Sequence, residues 1–594
     1  SLFKQQLQGG STITQQLVKS ALLIPERTVQ RKIREIILAL WTERIFSKNE
    51  ILELYLNQIP YGGAVYGVEE ASQRFFGKQS KKLSLAEVAF LAGLPQAPSL
   101  YSPYNNPDLA LKRRNEVLKA MFQQKYIDKN TYEKTIKIKL VVKPFEEKIK
   151  APHFVFYIKN ILEQKYTTKE IEEGGLKITT TLDLDLQEEA EKILKEELEE
   201  VKELDVSNGA VLITRPPTGE ILAMLGSVDY FATASGTFNV TTSDRQPGSS
   251  IKPINYAIGI ERKLVTAGTV FIDSPTCFVG GGQPKGYCPV NYDGKFHGPQ
   301  ALRFSLGNSY NIPAVKMLAI NGVREFVASA SAFGINSFKD PKNYGLSLTL
   351  GGGEVKMTEM ATAFSLLANR GVVKELNPIL KIEDKFGKVL YEFKSPNFVV
   401  DIKKPLNYPS FFSIGGKKPL SEETTFIISH ILLDDNARSQ AFGAGSLLVI
   451  PGHAVSVKTG TTDDKRDNWT IGYTPNFMTT VWVGNNDNTP MNPYLASGIT
   501  GAAPIWNRIM KYILKTQPDL WPIRPDTVVG RQVCWDSGDL MVKKDDGTES
   551  CSPRFEYFVK GTEPNEPHIS KQTVAITKDD KLAPENWPEV EMKE

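Results

Sequence analysis

Apolar and polar positions change their period along this chain. From residue 1 to about 140 the spacing is helical. Thr28 to Ser47 carries Ile33, Ile36, Ile37, Leu40 and Trp41 on one stripe, with Thr28 placed as an N-cap. A second helix is predicted from Lys48 to Asn57, ahead of a Tyr61-Gly-Gly turn. Pro95, Pro98, Pro103 and Pro107 then break the pattern, and another helix is expected from Leu109 to about Lys125. Between about 141 and 204 charge dominates. A helix near Phe154 to Lys165, a strand from Leu176 to Leu182 and a Glu- and Lys-rich helix from Glu188 to Lys202 read together as a connector. Strand signals follow: Gly209 to Thr214, a turn at Pro217-Thr-Gly, and a return through Glu220 to Leu225, which is hairpin logic. Ala454 to Lys458 and Met478 to Gly484 repeat it late in the chain. Strands at both ends with helices between predict an α+β domain over 205–515, its central antiparallel sheet closed by the two termini. Residues 516–594 are richer in proline and read as a C-terminal extension, with an exposed tail after about Lys560.

Length supports this division, since 594 residues exceed the roughly 100–200 of an ordinary domain. At 41% hydrophobic and 23% charged the chain is globular, and a net charge of +3 gives no reason to expect a nucleic-acid partner. No apolar run approaches the roughly 18 residues that span a membrane. The chain opens on Ser1 rather than Met, so any anchor or signal is expected upstream of this sequence. Cys277 with Cys288 and Cys534 with Cys551 each bracket a turn-rich stretch. Local pairing closes the shortest loops and would suit an oxidising compartment; four free thiols in a reducing one are the alternative. No CxxC spacing suggests a metal site.

Three short strings carry the chemistry: Ser249-Ser-Ile-Lys252, Ser309-Tyr-Asn311 and Lys458-Thr-Gly-Thr461. Ser-x-x-Lys alone says little, because Ser1-Leu-Phe-Lys4 also fits it. Context separates the two. Pro247-Gly248 delivers Ser249 to a helix start, where Ser249 and Lys252 share a face at i and i+3. Serine needs a base, and Lys252 can serve if burial beside a second cation, Lys458, keeps its amine neutral. Ser309 can relay a proton to a departing amine, and Asn311 offers an amide to a peptide substrate. Lys458, Thr459 and Thr461 present donors to a terminal carboxylate. Gly460 leaves room for a substrate backbone along the strand edge, and the backbone amides of Ser249 and Thr461 would form an oxyanion hole.

In these strings the chain resembles the class A penicillin-binding proteins. The likeness extends to Asp244-Arg-Gln-Pro-Gly-Ser-Ser-Ile-Lys-Pro, Asn291-Tyr-Asp-Gly-Lys-Phe-His-Gly-Pro, Leu350-Gly-Gly-Gly-Glu-Val and Asp467-Asn-Trp-Thr-Ile-Gly-Tyr-Thr-Pro. Upstream, Gly9-Gly-Ser-Thr-Ile-Thr-Gln-Gln-Leu17, Arg31-Lys-Ile-Arg-Glu35 and the Lys48 to Asn57 segment resemble successive signatures of the family's peptidoglycan glycosyltransferase domain. The resemblance implies a lysozyme-like all-α glycosyltransferase domain over 1–140, a connector over 141–204 and a penicilloyl-serine transpeptidase domain over 205–515. It implies that Gln15, Gln16, Lys19 and Arg27 contact a lipid-linked donor and that Glu35 is the site's second carboxylate. Ser20 stands where the family usually has Asn.

The expected function is peptidoglycan synthesis. The transpeptidase would cross-link stem peptides through an ester on Ser249, without a cofactor. The glycosyltransferase would polymerise lipid II, a step that a divalent cation could assist. The family's catalytic glutamate belongs to a signature upstream of Gly9, and none of the eight residues before Gly9 is acidic. Glycan polymerisation is therefore expected of a longer chain and not of this sequence by itself. Lipid II, nascent peptidoglycan and β-lactams are the implied partners, at the extracytoplasmic face of a bacterial membrane. A serine β-lactamase and a β-lactam sensor are the rivals. The lactamase reading would need a Glu-x-x-Leu-Asn string between the second and third motifs, and the one such string, Glu53 to Asn57, lies far upstream.

Overall fold

The computed structural model describes residues 11–22, 29–62, 65–98, 100–104, 106–143, 149–173, 175–232, 236–278, 286–492, 499–543, 547–567, 574–576 and 591–593. It divides into two compact units, Ser1–Ile149 and Lys150–Glu594. Among the described residues no helix is long and apolar enough to cross a membrane.

Helices build the first unit: Ile13–Leu22, Val29–Ile45, Lys48–Gln58, Val68–Phe76, Leu85–Gly93, Pro107–Gln123 and Lys129–Thr135. Lys48–Gln58 starts on a capping box, in which Ser47 Oγ accepts from the Glu50 amide and the Glu50 carboxylate accepts from the Ser47 amide at 2.7 Å. Tyr61, Phe75, Phe76, Phe90 and Leu94 form its core. The Val29–Ile45 helix departs from expectation. Its apolar stripe faces outward, with Ile33 52%, Leu40 63% and Trp41 63% exposed, while Glu35 and Ala39 are buried. Arg31 and Lys32 pair with Glu35, which removes the penalty that would keep a carboxylate in water. Thr28, the expected N-cap, lies outside the described residues.

The second unit is layered on a five-stranded antiparallel sheet. Its spatial order is Ser456–Thr461, Asp467–Tyr473, Met478–Gly484, Asn208–Thr214 and Ile221–Leu225, so late strands join early ones. Ala210 and Leu212 feed one core, with Trp469, Ile471 and Trp482. Val211 and Ile213 feed the other, with Val481, Val483 and the Ala502–Leu514 helix. Both faces are covered, which is why these strands read as unbroken apolar runs.

Two segments expected to stand apart pack into this unit. Residues from Lys150 onward pack into this unit and do not stand apart as a connector. Leu186, Ala190, Ile193, Leu194 and Leu198 line one stripe of the Leu184–Glu200 helix and bury against the sheet, so its Glu and Lys residues are only the solvent side. Lys177–Thr180 pairs with Ile379–Glu383, far along the chain. The C-terminal extension is also built in. Val528–Cys534 pairs with Pro553–Val559, and buried Glu556 accepts from Arg303 Nε at 2.9 Å. Beyond Lys560, Val574–Ile576 pairs with Glu591–Lys593 where a tail was expected. The two cysteine couples form local bridges, Cys277–Cys288 and Cys534–Cys551.

Candidate active site

The three strings converge in the second unit. Gly248–Ile251 is one turn of 3-10 helix that runs into the Lys252–Glu261 helix, and the Lys252 amide donates to Ser249 O. Ser249 is half-buried at this junction. Trp469 Nε1 donates to Gln246 O at 2.8 Å and Ser250 Oγ to Pro247 O at 2.7 Å, so the nucleophile's turn is pinned to the sheet and to itself. Glycine lets the turn and strand meet. A β-carbon at Gly460 would lie 2.4 Å from Pro247 O, and one at Gly248 would lie 2.6 Å from Thr461 O. Gly460 is thus required by the close approach of protein backbone, a reason the sequence did not suggest.

Lys252 is fully buried. Its Nζ donates to Ser309 O at 2.6 Å and to Asn311 Oδ1 at 2.7 Å, with Tyr310 O at 3.3 Å and Ser309 Oγ at 3.4 Å. Ser309 adopts a left-handed backbone conformation, φ 62°, which costs a non-glycine residue about 1–2 kcal/mol. That conformation accompanies a carbonyl placed on Lys252 and a hydroxyl placed on Lys458, whose Nζ donates to Ser309 Oγ at 2.9 Å and to Thr459 O at 2.7 Å. Lysine 252, serine 309 and lysine 458 therefore form one hydrogen-bonded chain.

Electrostatics sets the protonation of that chain. Burial pushes the Lys252 ammonium well below the ordinary lysine range and the Lys458 charge pushes it further, against Asp463 and Asp273. A neutral amine keeps two N–H bonds, enough for the two short contacts to Ser309 O and Asn311 Oδ1, and a lone pair free for a proton. Lys458 is itself lowered to about 7, first by burial and then by Arg438. Among the described residues the Ser456–Thr461 strand that carries Lys458, Thr459 and Thr461 is the edge of the sheet, with one side unpaired by any strand.

In the first unit Glu35 is held by Arg31 at 2.8 Å and by Lys32, whose Nζ also donates to Ser11 Oγ at 3.0 Å. Burial opposes ionisation, but hydrogen bonds from Lys32 and Arg31 outweigh it and keep the carboxyl below its usual range. Gln15, Gln16 and Lys19 lie on the Ile13–Leu22 helix, Gln16 and Lys19 exposed and Gln15 half-buried. Tyr55 Oη donates to Gln16 Oε1 at 3.2 Å. Arg27 lies outside the described residues. Among the described residues no group of three or more His, Cys, Asp or Glu is placed to hold a metal ion.

Residues 2–122 match the transglycosylase family, 209–511 the penicillin-binding protein transpeptidase domain, and 524–568 the C-terminal domain of penicillin-binding protein 1A. The chain belongs to the class A penicillin-binding proteins. It is 32% identical to penicillin-binding protein 1A of Aquifex aeolicus, across 94% of this chain and 83% of that one. Penicillin-binding protein 2D of Bacillus subtilis is also 32% identical, across 96% and 79%. The crystal structure of penicillin-binding protein 1A from Haemophilus influenzae shares the fold, with a TM-score of 0.68, 24% identity and 94% coverage of each chain. As a class A penicillin-binding protein this chain is a peptidoglycan synthase with transglycosylase and transpeptidase domains.

Residues outside the three motifs also touch this cluster or its turn. Arg438 is buried 4% exposed, donates to Leu432 O at 2.7 Å and is the cation that depresses Lys458. Nothing in its local sequence marks it, because its effect falls on Lys458, 20 residues further along the chain. Trp469 had a signal, lying in a stretch already singled out, but its hold on Gln246 needs the sheet to be seen.

Proposed function

We propose that this synthase is a serine D,D-transpeptidase that cross-links stem peptides through an acyl-enzyme on Ser249. The buried, like-charge-flanked Lys252 carries the reading. A neutral Lys252 amine takes the Ser249 proton as Oγ adds to the carbonyl carbon of the penultimate D-alanine. Amides of Ser249 and Thr461 receive the developing oxyanion. Lys458 and Thr459 attract the terminal carboxylate, and Asn311 orients the peptide. Collapse breaks the peptide bond, and the proton passes from Lys252 through Ser309 Oγ to the leaving D-alanine amine. A second stem's amine then attacks the ester and Ser249 recovers its proton. Nucleophile, base and relay are all side chains of this protein, so the step calls for no cofactor.

In the same reading β-lactams acylate Ser249 as substrate mimics. The transglycosylase domain handles lipid II, with Gln15, Gln16, Lys19 and Arg27 on the donor's phosphates and sugars and Glu35 as a carboxylate held ionised by Arg31 and Lys32. The two disulfides support an oxidising, extracytoplasmic location at the bacterial membrane. The test is incubation with a pentapeptide donor and an amine acceptor, followed by mass spectrometry. D-Alanine release and a cross-linked product are expected, both absent in Ser249→Ala. Rapid penicillin turnover without a cross-linked product would favour a β-lactamase instead.

A further inference from the structure

The Asn291-Tyr-Asp-Gly-Lys-Phe-His stretch has no part in the chemistry above, yet it grips the second motif. Asn311 begins the Asn311–Asn321 helix, and Tyr310 at its N-cap offers no side-chain bond to the first turn. Asn291 supplies that bond from elsewhere in the chain: its Oδ1 accepts from the Asn311 amide at 2.7 Å. Its Nδ2 donates to Asp273 Oδ2 at 2.7 Å and to Lys295 O at 2.8 Å, so the amide is locked in one orientation. Asp273 is fully buried and Asn291 is 3% exposed. The same Asp273 oxygen accepts from the His297 backbone at 2.9 Å and lies 2.9 Å from His297 Nδ1. The His297 ring in turn stacks on Tyr310, centroids 4.1 Å apart. Next door, Val290 O accepts from Asn311 Nδ2 at 2.7 Å.

Chain geometry explains how the two clamping residues meet. Asp273 ends the Val270–Asp273 strand, and the segment that follows is zipped by the Phe278 and Tyr287 backbone bonds and by Cys277–Cys288. It returns Asn291 beside its starting point.

We infer that Asn291, held by Asp273, is a positioning residue for acylation: it caps the helix that presents Asn311 and thereby fixes the Asn311 Oδ1 contact to Lys252. Neither residue touches the reacting atoms. An unheld Asn311 amide lets Oδ1 drift from Lys252 Nζ, and the base loses one of its two short anchors. This rests on the acyl-enzyme reading of Ser249, and the test separates the two.

The full chain is labelled with a fluorescent penicillin in rapid-mixing experiments, reading the rate constant, the final labelled fraction and the melting temperature. Asn291→Ala is expected to label about tenfold more slowly, the scale of a lost buried hydrogen bond, with the labelled fraction unchanged. Asp273→Asn can keep an accepting oxygen towards both Asn291 Nδ2 and the His297 amide, and is expected to label close to the wild-type rate. A wild-type rate in Asn291→Ala overturns the inference, as does a loss explained wholly by a smaller labelled fraction. Should Asn291→Ala fail to fold, Asp273→Asn decides alone: slow labelling by a folded Asp273→Asn, in which the Asn291 clamp is kept, overturns the inference. Absence of a Ser249 adduct in the wild-type protein would instead sink the acyl-enzyme reading.

Discussion

The two candidate centres treat buried charge in opposite ways. Around Glu35 the protein places two cations within reach, and the carboxyl stays ionised below its usual range. Around Lys252 it places carbonyls and another lysine, and the ammonium is driven towards its neutral form. Pairing preserves a charge, whereas burial beside a like charge turns a cation into a base. A side chain's role is therefore set by what surrounds it, and each centre can be broken from its surroundings.

The largest effect is expected from removing the base. Lys252→Ala should slow penicillin acylation by about 10²- to 10⁴-fold, measured by rapid mixing, and a loss under tenfold would return Lys252 to a structural role. Gly460→Ala comes next. Its β-carbon must displace Pro247 O from 2.4 Å, so the nucleophile's turn parts from the strand. Such overpacking costs about 1–3 kcal/mol, and acylation is expected to fall by about ten- to a hundredfold if that strain is borne by the turn. Unchanged acylation would show that the turn and strand need not touch.

The smallest effects are on stability against pH: both groups favour the folded state more as pH rises, but Lys458 does so by shedding a penalty and Glu35 by gaining a stabilisation, in different pH windows. Lys458 titrates at about 7 in the folded protein, below its ordinary 10.5, so the unfolded chain binds the proton more tightly. Its unfavourable contribution is complete below pH 7 and fades as pH rises towards the unfolded value. The difference in melting temperature between wild type and Lys458→Met should therefore shift in favour of the wild type from pH 7 to 10. Glu35 changes in the same direction but at acid pH, and its contribution is favourable. Its carboxyl is depressed, so its stabilisation is present above the ordinary 4.5 and lost as pH falls through the folded value. Glu35→Gln should melt lower than wild type at pH 7 and converge with it in acid. A Lys458→Met protein that melts lower than wild type at pH 7 by as much as Glu35→Gln does would erase the contrast.

Much of this was visible in the sequence. The strings at Ser249, Ser309 and Lys458 are brought together by the fold, and the helix expected from Lys48 and the hairpin expected over Gly209 to Leu225 are present. What escaped depended on tertiary context. Charged residues at 184–200 disguised a core stripe because only one face of that helix shows in composition. The Ile33 to Trp41 stripe suggested a buried face, but the Glu35 ion cluster takes the inside. Arg438 and Asn291 act through residues more than a dozen positions away, and no local pattern marks such contacts.

The most direct test of the central claim is peptide mapping of the penicillin adduct combined with its rate of formation in the wild type, Ser249→Ala and Lys252→Ala. One adduct per chain on Ser249 is predicted, with none on Ser249→Ala and slow labelling of the same serine in Lys252→Ala. An adduct on another residue, or a Lys252→Ala protein that labels at the wild-type rate, would contradict a serine activated by a neutral lysine.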